Sequence, residues 1–139
     1  MPEVVILDQP FDADGLYSLR AAVAAHAGEL DIPDDQLDSL LIVAGELASN
    51  AVRHGGGRGR LRLWRDPTAV HCQISDHGPG ITDHTVGTTP PTPTHARGRG
   101  MWICRQLSDT LVIRPGDDGH GAAVTAVIRL DREPSPRSD

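Results

Sequence analysis

A carboxylate and a carboxamide stand one helical turn apart near the middle of the chain, at Glu46 and Asn50. Residues four positions apart in a helix are rotated by about 40°, so both side chains share one face, which His54 extends by a further turn. An amide oxygen is a hard ligand suited to Mg²⁺, and a nearby carboxylate can serve as a general base. The alternative interpretation is an ordinary solvated helix face. Because Ile42 and Val43 lie on the same side, we expect another element to cover this face.

A second candidate group follows a predicted strand and reads Asp76-His77-Gly78-Pro79-Gly80. Aspartate, glycine and proline are common turn residues, so a structural turn is one interpretation. An aspartate at the end of a strand can also accept a hydrogen bond from an amine donor such as the adenine amino group. In that case the two glycines let the backbone approach a flat base closely.

The third candidate group is Gly98-Arg99-Gly100, at the start of a predicted helix. A single Gly-x-Gly is a weak signal, but backbone amides at a helix N-terminus bind anions, and Arg97 and Arg99 add positive charge. The residues before it, 82–97, are rich in threonine and proline and predict a long loop. We expect this loop to form a lid that folds over phosphates.

The composition of this 139-residue chain excludes several classes of protein. Its 13 cationic side chains are all arginine, which excludes a P-loop, a protein-kinase domain of the usual type and Schiff-base chemistry. A net charge of −6 and a content of two Trp, one Tyr and one Phe argue against nucleic-acid binding. Cys72 and Cys104 are too few for a disulfide framework and are expected in the core. With neither a signal peptide nor an apolar run that could span a membrane, we expect a soluble cytoplasmic protein.

The hydrophobic pattern predicts three helices and five strands in one domain over residues 1–130. The predicted strands are residues 3–8, 60–65, 70–74, 111–114 and 122–130, and the predicted helices are residues 12–28, 33–54 and 101–108. This order is typical of an α+β fold, a two-layer sandwich of a mostly antiparallel, mixed sheet with helices on one face. Arg60, Arg62 and Arg65 are expected on a solvated strand face. The polar residues 131–139 predict a disordered tail.

Taken together, the three groups resemble a known set of motifs. The matching segments are Glu46-Leu-Ala-Ser-Asn50 with His54, Asp76-x-Gly78-x-Gly80 and Gly98-Arg-Gly100-Met101. In order and spacing they resemble the N, G1 and G2 boxes of the gyrase, heat-shock chaperone, histidine-kinase and mismatch-repair ATPases, which share the Bergerat ATP-binding fold. Within that superfamily the chain is similar to the small stand-alone anti-sigma factor serine/threonine kinases of bacteria, on the segments ELASNAVRHG and GRGMWICRQLSD. The resemblance spans about residues 4–130 and implies the histidine kinase-like ATPase fold.

The resemblance also implies a role for each residue. Glu46 would be the general base that aligns a serine hydroxyl or water for attack on the γ-phosphate of ATP, and Asn50 would ligate Mg²⁺. Asp76 would bind the adenine amino group in a pocket shaped by Gly78 and Gly80. The remaining residues implied near the phosphates are His54, Gly98, Arg99, Gly100 and Met101. Arg20 occupies the position of an arginine that touches protein partners in the family, which implies a sigma factor and an anti-anti-sigma factor as partners, and family members are commonly homodimers.

One departure from the family keeps a second function open. The family usually has Gly-Thr-x-Val before its last strand, where the threonine hydroxyl helps to hold adenine, whereas this chain has Gly121-Ala122-Ala123-Val124. Loss of one neutral hydrogen bond weakens binding by roughly 1 kcal/mol. The alternative function is therefore a nucleotide-sensing, partner-binding module with little or no kinase activity. A histidine-kinase module is disfavoured, because the residues before Glu46 leave no room for a dimerising helical hairpin with its phospho-accepting histidine.

Overall fold

In the part of the chain that the structure describes, five strands form one sheet, in which one pair of neighbouring strands is not consecutive along the sequence. The computed structural model describes residues 4–81, 86–88, 90–91, 99–116 and 119–130. The strands are β1 (Val4–Asp12), β2 (Arg58–Arg65), β3 (Ala69–Asp76), β4 (Thr110–Pro115) and β5 (Ala122–Arg129). Their order is β1-β2-β3-β5-β4, and each of these pairings is antiparallel. This architecture confirms the predicted α+β class.

The described residues also form three helices, which are α1 (Leu16–Ala27), α2 (Asp34–His54) and α3 (Arg99–Leu107). A single 3-10 turn precedes α1, and the Gly15 N–H donates to Asp12 Oδ1 at 3.0 Å, which caps that turn. Within the described ranges, no helix has the length and apolar content needed to cross a membrane. The predicted tail, Gly98 and most of the predicted lid fall outside the residues that the structure describes.

The first strand is longer than predicted and continues to Asp12 instead of ending at Asp8. Its second half pairs with β2, with Pro10 opposite Arg60 and Phe11 opposite Gly59. Proline is tolerated there because β1 is an edge strand, where a missing N–H breaks no ladder on the outer side. Burial of the Phe11 ring stabilises the extension.

Helix α2 lies at the centre of the core and packs against both other helices and three strands. Leu40 and Val43 are fully buried, and the Val43 carbonyl lies against α3, where it accepts from the Cys104 thiol at 3.8 Å. The prediction that Ile42 is covered as well is wrong, since that side chain is 47% exposed. Helix α3 packs along the side of α2 where Cys104 contacts the Val43 carbonyl, and it leaves Ile42 exposed.

Arg65 also differs from the prediction of a solvated strand face. Its guanidinium is half-buried and donates from Nη1 to the carbonyls of Leu30 and Asp31, the latter at 3.1 Å. These carbonyls belong to the connection between α1 and α2, so Arg65 fastens that connection to the sheet. Arg60 and Arg62 are exposed, as predicted.

Candidate functional site

The predicted carboxylate–carboxamide pair lies on the side of α2 that faces α3. Glu46 and Asn50 are both half-buried. An added Cβ at Gly100, in the first turn of α3, would stand only 2.9 Å from Glu46 Oε1. Because glycine has no side chain there, the backbone of α3 reaches the carboxylate directly. The structure therefore brings together Glu46 and Gly100, which are 54 positions apart in the sequence.

A thiol also lies close to this carboxylate. Burial, together with the nearby negative charges of Glu46 and Cys72, raises the pKa of the Cys104 thiol to about 12. A thiol with such a pKa stays protonated at neutral pH and is a poor nucleophile. Cys104 therefore packs behind the pair without supplying reactive chemistry, as the prediction of a core cysteine implies.

At the other end of α2, the Asp76 carboxylate is held by backbone groups. Its Oδ1 accepts hydrogen bonds from the Gly78 N–H at 3.0 Å and from the Ala122 N–H at 3.2 Å. Two donors fill the lone pairs of this oxygen, which leaves Oδ2 as the acceptor for another partner. The carboxylate is thus fixed in orientation by two loops that are far apart in the sequence.

Glycines surround this carboxylate because side chains would not fit. A Cβ at Gly55 would stand 2.5 Å from Asp76 Cγ, and one at Gly78 would stand 2.5 Å from the Gly55 carbonyl carbon. Gly80 has φ +87°, and a Cβ there would also crowd the Gly121 carbonyl oxygen at 3.1 Å. These contacts require glycine at positions where the backbones of α2 and of the loops after β3 and β4 meet.

Gly55 connects the two ends of the site. It follows the last residue of α2 and donates its N–H to the Ala51 carbonyl at 2.7 Å. With a rise of 1.5 Å per residue, Glu46 lies roughly 13 Å from Gly55 along the helix. The candidate site therefore extends along α2, with a carboxylate beside Gly100 at one end and the Asp76 carboxylate at the other.

The other predicted residues are placed as follows. Arg99 is exposed as the first residue of α3, and His54 is exposed at the end of α2. Met101 is only 2% exposed, so its side chain belongs to the core and only its backbone can face a ligand. Arg20 lies away from these residues, on α1, where its Nε would be 3.6 Å from a Cβ added at Gly45.

Sequence reasoning missed the glycines that pack on Asp76. The sequence pattern predicts only that a helix ends just before Gly55, and it places Gly121 only in the segment before the last strand. The signal that could have identified them is the occurrence of glycine in each of the segments that pack against Asp76.

Among the residues that the structure describes, no cluster of three or more His, Cys, Asp or Glu side chains could hold a metal ion.

Asn50 nevertheless suits Mg²⁺ in a different manner. Mg²⁺ retains several waters and is usually bound by one or two protein oxygens together with substrate phosphates, so it needs no all-protein cluster. Asn50 is half-buried and lies one helical turn from Glu46, whose carboxylate contacts Gly100. Its amide oxygen is therefore suited to be one of these protein ligands. The residues present fit the ion.

Known proteins are similar to this chain in sequence and in fold. A model of the histidine kinase-like ATPase domain matches residues 10–128. The anti-sigma F factor of Geobacillus stearothermophilus is 28% identical over 104 residues, which cover 68% of this chain and 70% of that protein.

Solved structures share the fold at lower identity. The RsbU and RsbW domains of Rv1364c from Mycobacterium tuberculosis align with a TM-score of 0.61 and 17% identity over 96% of this chain, which spans only 34% of that one. The SiaB–SiaC complex from Pseudomonas aeruginosa aligns with a TM-score of 0.62 and 11% identity, covering 89% of this chain and 91% of that chain. The mycobacterial sensor histidine kinase MprB aligns with a TM-score of 0.54 and 21% identity, covering 88% and 97%.

Proposed function

The chain belongs to the histidine kinase-like ATPase domain family, and from this premise we propose that it binds Mg-ATP and acts as an anti-sigma factor with serine/threonine-protein kinase activity. Its substrate would be a serine of an anti-anti-sigma partner. The similarity to an anti-sigma F factor supports this class of function. The observation that carries the proposal is the juxtaposition of Glu46 with Gly100 within α2 and of Asp76 with a glycine cradle at the C-terminal end of that helix.

The adenine end of the nucleotide would lie at Asp76. Two backbone N–H groups occupy Oδ1, so Oδ2 is available to accept from the exocyclic amino group of adenine. Gly78 and Gly80 let the neighbouring backbones close around this carboxylate, so that a flat base would approach backbone there without meeting a side chain. Guanine carries an oxygen at the equivalent position, which a carboxylate would repel.

The phosphates would lie toward the start of α3. The N-terminal amides of a helix attract anions, and we assign this role to the backbone at Gly98, Arg99, Gly100 and Met101, with the exposed Arg99 guanidinium adding charge. The distance along α2 from Asp76 toward Glu46 is one that an extended nucleoside triphosphate can span. His54, at the end of α2, would border this channel.

Glu46 would be the general base of phosphoryl transfer. The partner's serine oxygen would bond to the γ-phosphorus while the bond from that phosphorus to the β,γ-bridging oxygen breaks, which releases ADP. The hydroxyl proton would pass to the Glu46 carboxylate. Asn50 would hold Mg²⁺, which neutralises phosphate charge when bound.

A protein partner would dock on the paired helices α1 and α2. Arg20 and Tyr17 line a surface cleft of about 350 Å³ with Ala21, and Tyr17 is 86% exposed. Ile42 is also exposed and lies one turn from Gly45, which Arg20 contacts. Two exposed large apolar side chains around an arginine favour a partner surface that combines apolar and acidic residues. We propose that the sigma factor and the anti-anti-sigma factor use this surface, and that the protein acts in the cytoplasm as a homodimer.

The kinase proposal is tested by mixing purified protein, Mg-ATP and candidate anti-anti-sigma proteins, followed by detection of phosphoserine. The wild type should phosphorylate a partner. Glu46→Gln should slow transfer by about 10²-fold or more while it retains ATP binding. Absence of phosphoserine on every candidate partner, or equal rates for the two proteins, would contradict the proposal.

A nucleotide-sensing module is the second candidate function, and one observation favours it. Ala122 donates its N–H to Asp76 but, as alanine, brings no hydroxyl to the adenine end. If partner binding depends on ATP and remains so in Glu46→Ala, while the wild type transfers no phosphate, the module is correct. If the wild type transfers phosphate and Glu46→Ala does not, the kinase is correct.

A further inference from the structure

A short segment packs against α3, the helix whose first turn faces Glu46. In residues 86–88, Gly87 adopts φ +81°. A Cβ there would stand 2.5 Å from the Met101 carbonyl carbon and 2.6 Å from the Trp102 backbone nitrogen. The segment therefore touches the backbone of α3 directly, through a residue that must be glycine for both conformational and steric reasons.

A side chain of α3 secures the same segment. The Arg105 guanidinium donates from Nε to the Val86 carbonyl at 2.7 Å, and Val86 packs against the core. Arg105 stands four residues after Met101, so both lie on the same side of the helix. The segment is thus held at two successive turns of α3, by Gly87 at the first and by Arg105 at the second.

A different side of α3, about 100° around the helix from Met101 and Arg105, rests on α2. Gly100 faces the Glu46 carboxylate within 2.9 Å of an added Cβ, and the Cys104 thiol contacts the Val43 carbonyl. The first turn of α3 therefore packs against residues 86–88 on one side and against Glu46 on an adjacent side. Contacts on two sides of the helix limit how far this turn can rotate or slide along α2.

We infer that Gly87 and Arg105 are positioning residues, which clamp the first turn of α3 at the place where it meets Glu46 and the triphosphate. The inference rests on the proposed function, because the clamp matters only if phosphates bind at this turn. Neither residue would touch the nucleotide. Both act through the backbone of residues 99–101, and displacement of that backbone would weaken contacts to the triphosphate and leave the adenine end unchanged.

The test compares binding of Mg-ATP with binding of adenosine, which lacks phosphates. Gly87→Ala should weaken Mg-ATP by about tenfold or more, since small displacements of a binding group have large effects, and should leave adenosine affinity unchanged. The matched control is Gly119→Ala, because Gly119 has the same φ of +81° but no atom within 4 Å of its added Cβ. That variant carries the same backbone strain and should retain wild-type affinity for both ligands.

Arg105 supplies an independent arm. Arg105→Met should lose Mg-ATP affinity selectively, and Arg105→Lys should restore most of it, because an ammonium can still donate to the Val86 carbonyl. A failure of adenosine binding in both Gly87→Ala and Arg105→Met would show general disruption and overturn the inference. Mg-ATP affinities equal to that of Gly119→Ala would also overturn it. If the wild type itself binds no Mg-ATP, the proposed function fails instead.

Discussion

Replacement of Gly55 by alanine is expected to disable the nucleotide site by displacing the Asp76 carboxylate. The added Cβ would stand 2.5 Å from Asp76 Cγ and 2.8 Å from the Ala51 carbonyl oxygen, well inside the usual 3.5 to 4.0 Å contact between non-bonded atoms. Gly55 has a negative φ of −108°, so the substitution introduces no left-handed strain. The effect of the substitution must therefore come from the close contacts of the added Cβ.

The magnitude follows from the hydrogen bonds of Asp76. A hydrogen bond to a charged group contributes about 1.5 to 3 kcal/mol. Loss of the bond from adenine to a displaced carboxylate would therefore raise the Kd for Mg-ATP by about 10- to 150-fold. The bonds from Gly78 and Ala122 would weaken at the same time, which would lower the free energy of unfolding by about 1 kcal/mol or more.

Calorimetric titration with Mg-ATP and with adenosine measures this change, and Gly57→Ala is the matched control. Gly57 has φ +88° and no atom within 4 Å of its added Cβ. Alanine there should cost about 1 to 3 kcal/mol of stability through backbone strain and should leave both affinities unchanged. A Gly55→Ala protein that binds within about twofold of the wild type, or a Gly57→Ala protein that loses as much affinity, would refute the reasoning.

Three further predictions concern other parts of the chain. Ala122→Ser places a hydroxyl next to Asp76 and should tighten Mg-ATP by roughly fivefold, the value of about one neutral hydrogen bond; an unchanged or weaker Kd by calorimetry would contradict this. Hydrogen bonds from His71 and, to a smaller extent, from Thr68 hold the pKa of the Asp66 carboxyl below its usual 3.8. The stability that this carboxylate contributes is therefore present above pH 3.8 and is lost as the pH falls through its lower pKa in the folded protein. Asp66→Asn should therefore reduce the free energy of unfolding in urea at pH 7 and progressively less in more acidic buffer, and a constant deficit would count against this cause. Burial raises the pKa of the two cysteine thiols to about 12, so a thiol reagent at pH 8 should label them only after unfolding, whereas rapid labelling of the native protein would show that they are accessible.

Much of the fold could be predicted because its signals are local. Helix α2 was placed to within a residue at each end, since apolar positions recur at helical spacing between Pro33 and Gly55. The strands β2 to β5 were located because alternating apolar residues end at glycine or proline. The insertion of β5 between β3 and β4 could not be predicted, since it depends on pairing between segments that are distant along the chain.

The individual side chains that were misjudged depend on distant parts of the chain. Ile42 and Val43 are neighbours on α2, and only the placement of α3 in the folded protein decides that Val43 is covered and Ile42 is exposed. Arg65 follows a strand pattern that predicts solvent exposure, but its acceptors are carbonyls of the connection between α1 and α2. The spacing of Glu46 and Asn50 was readable because both lie on one helix, whereas the contact of Gly55 with Asp76 joins separate elements.

The central claim is that this site binds ATP through the Asp76 carboxylate, and the most direct test is a calorimetric titration of Mg-ATP into the wild type and Asp76→Asn. The substitution keeps the size of the side chain but can replace the oxygen that accepts from adenine with an amide nitrogen that cannot. The wild type should bind Mg-ATP, and Asp76→Asn should bind at least about tenfold more weakly with unchanged cooperative unfolding. Equal affinities for the two proteins, or no binding by the wild type, would contradict the claim.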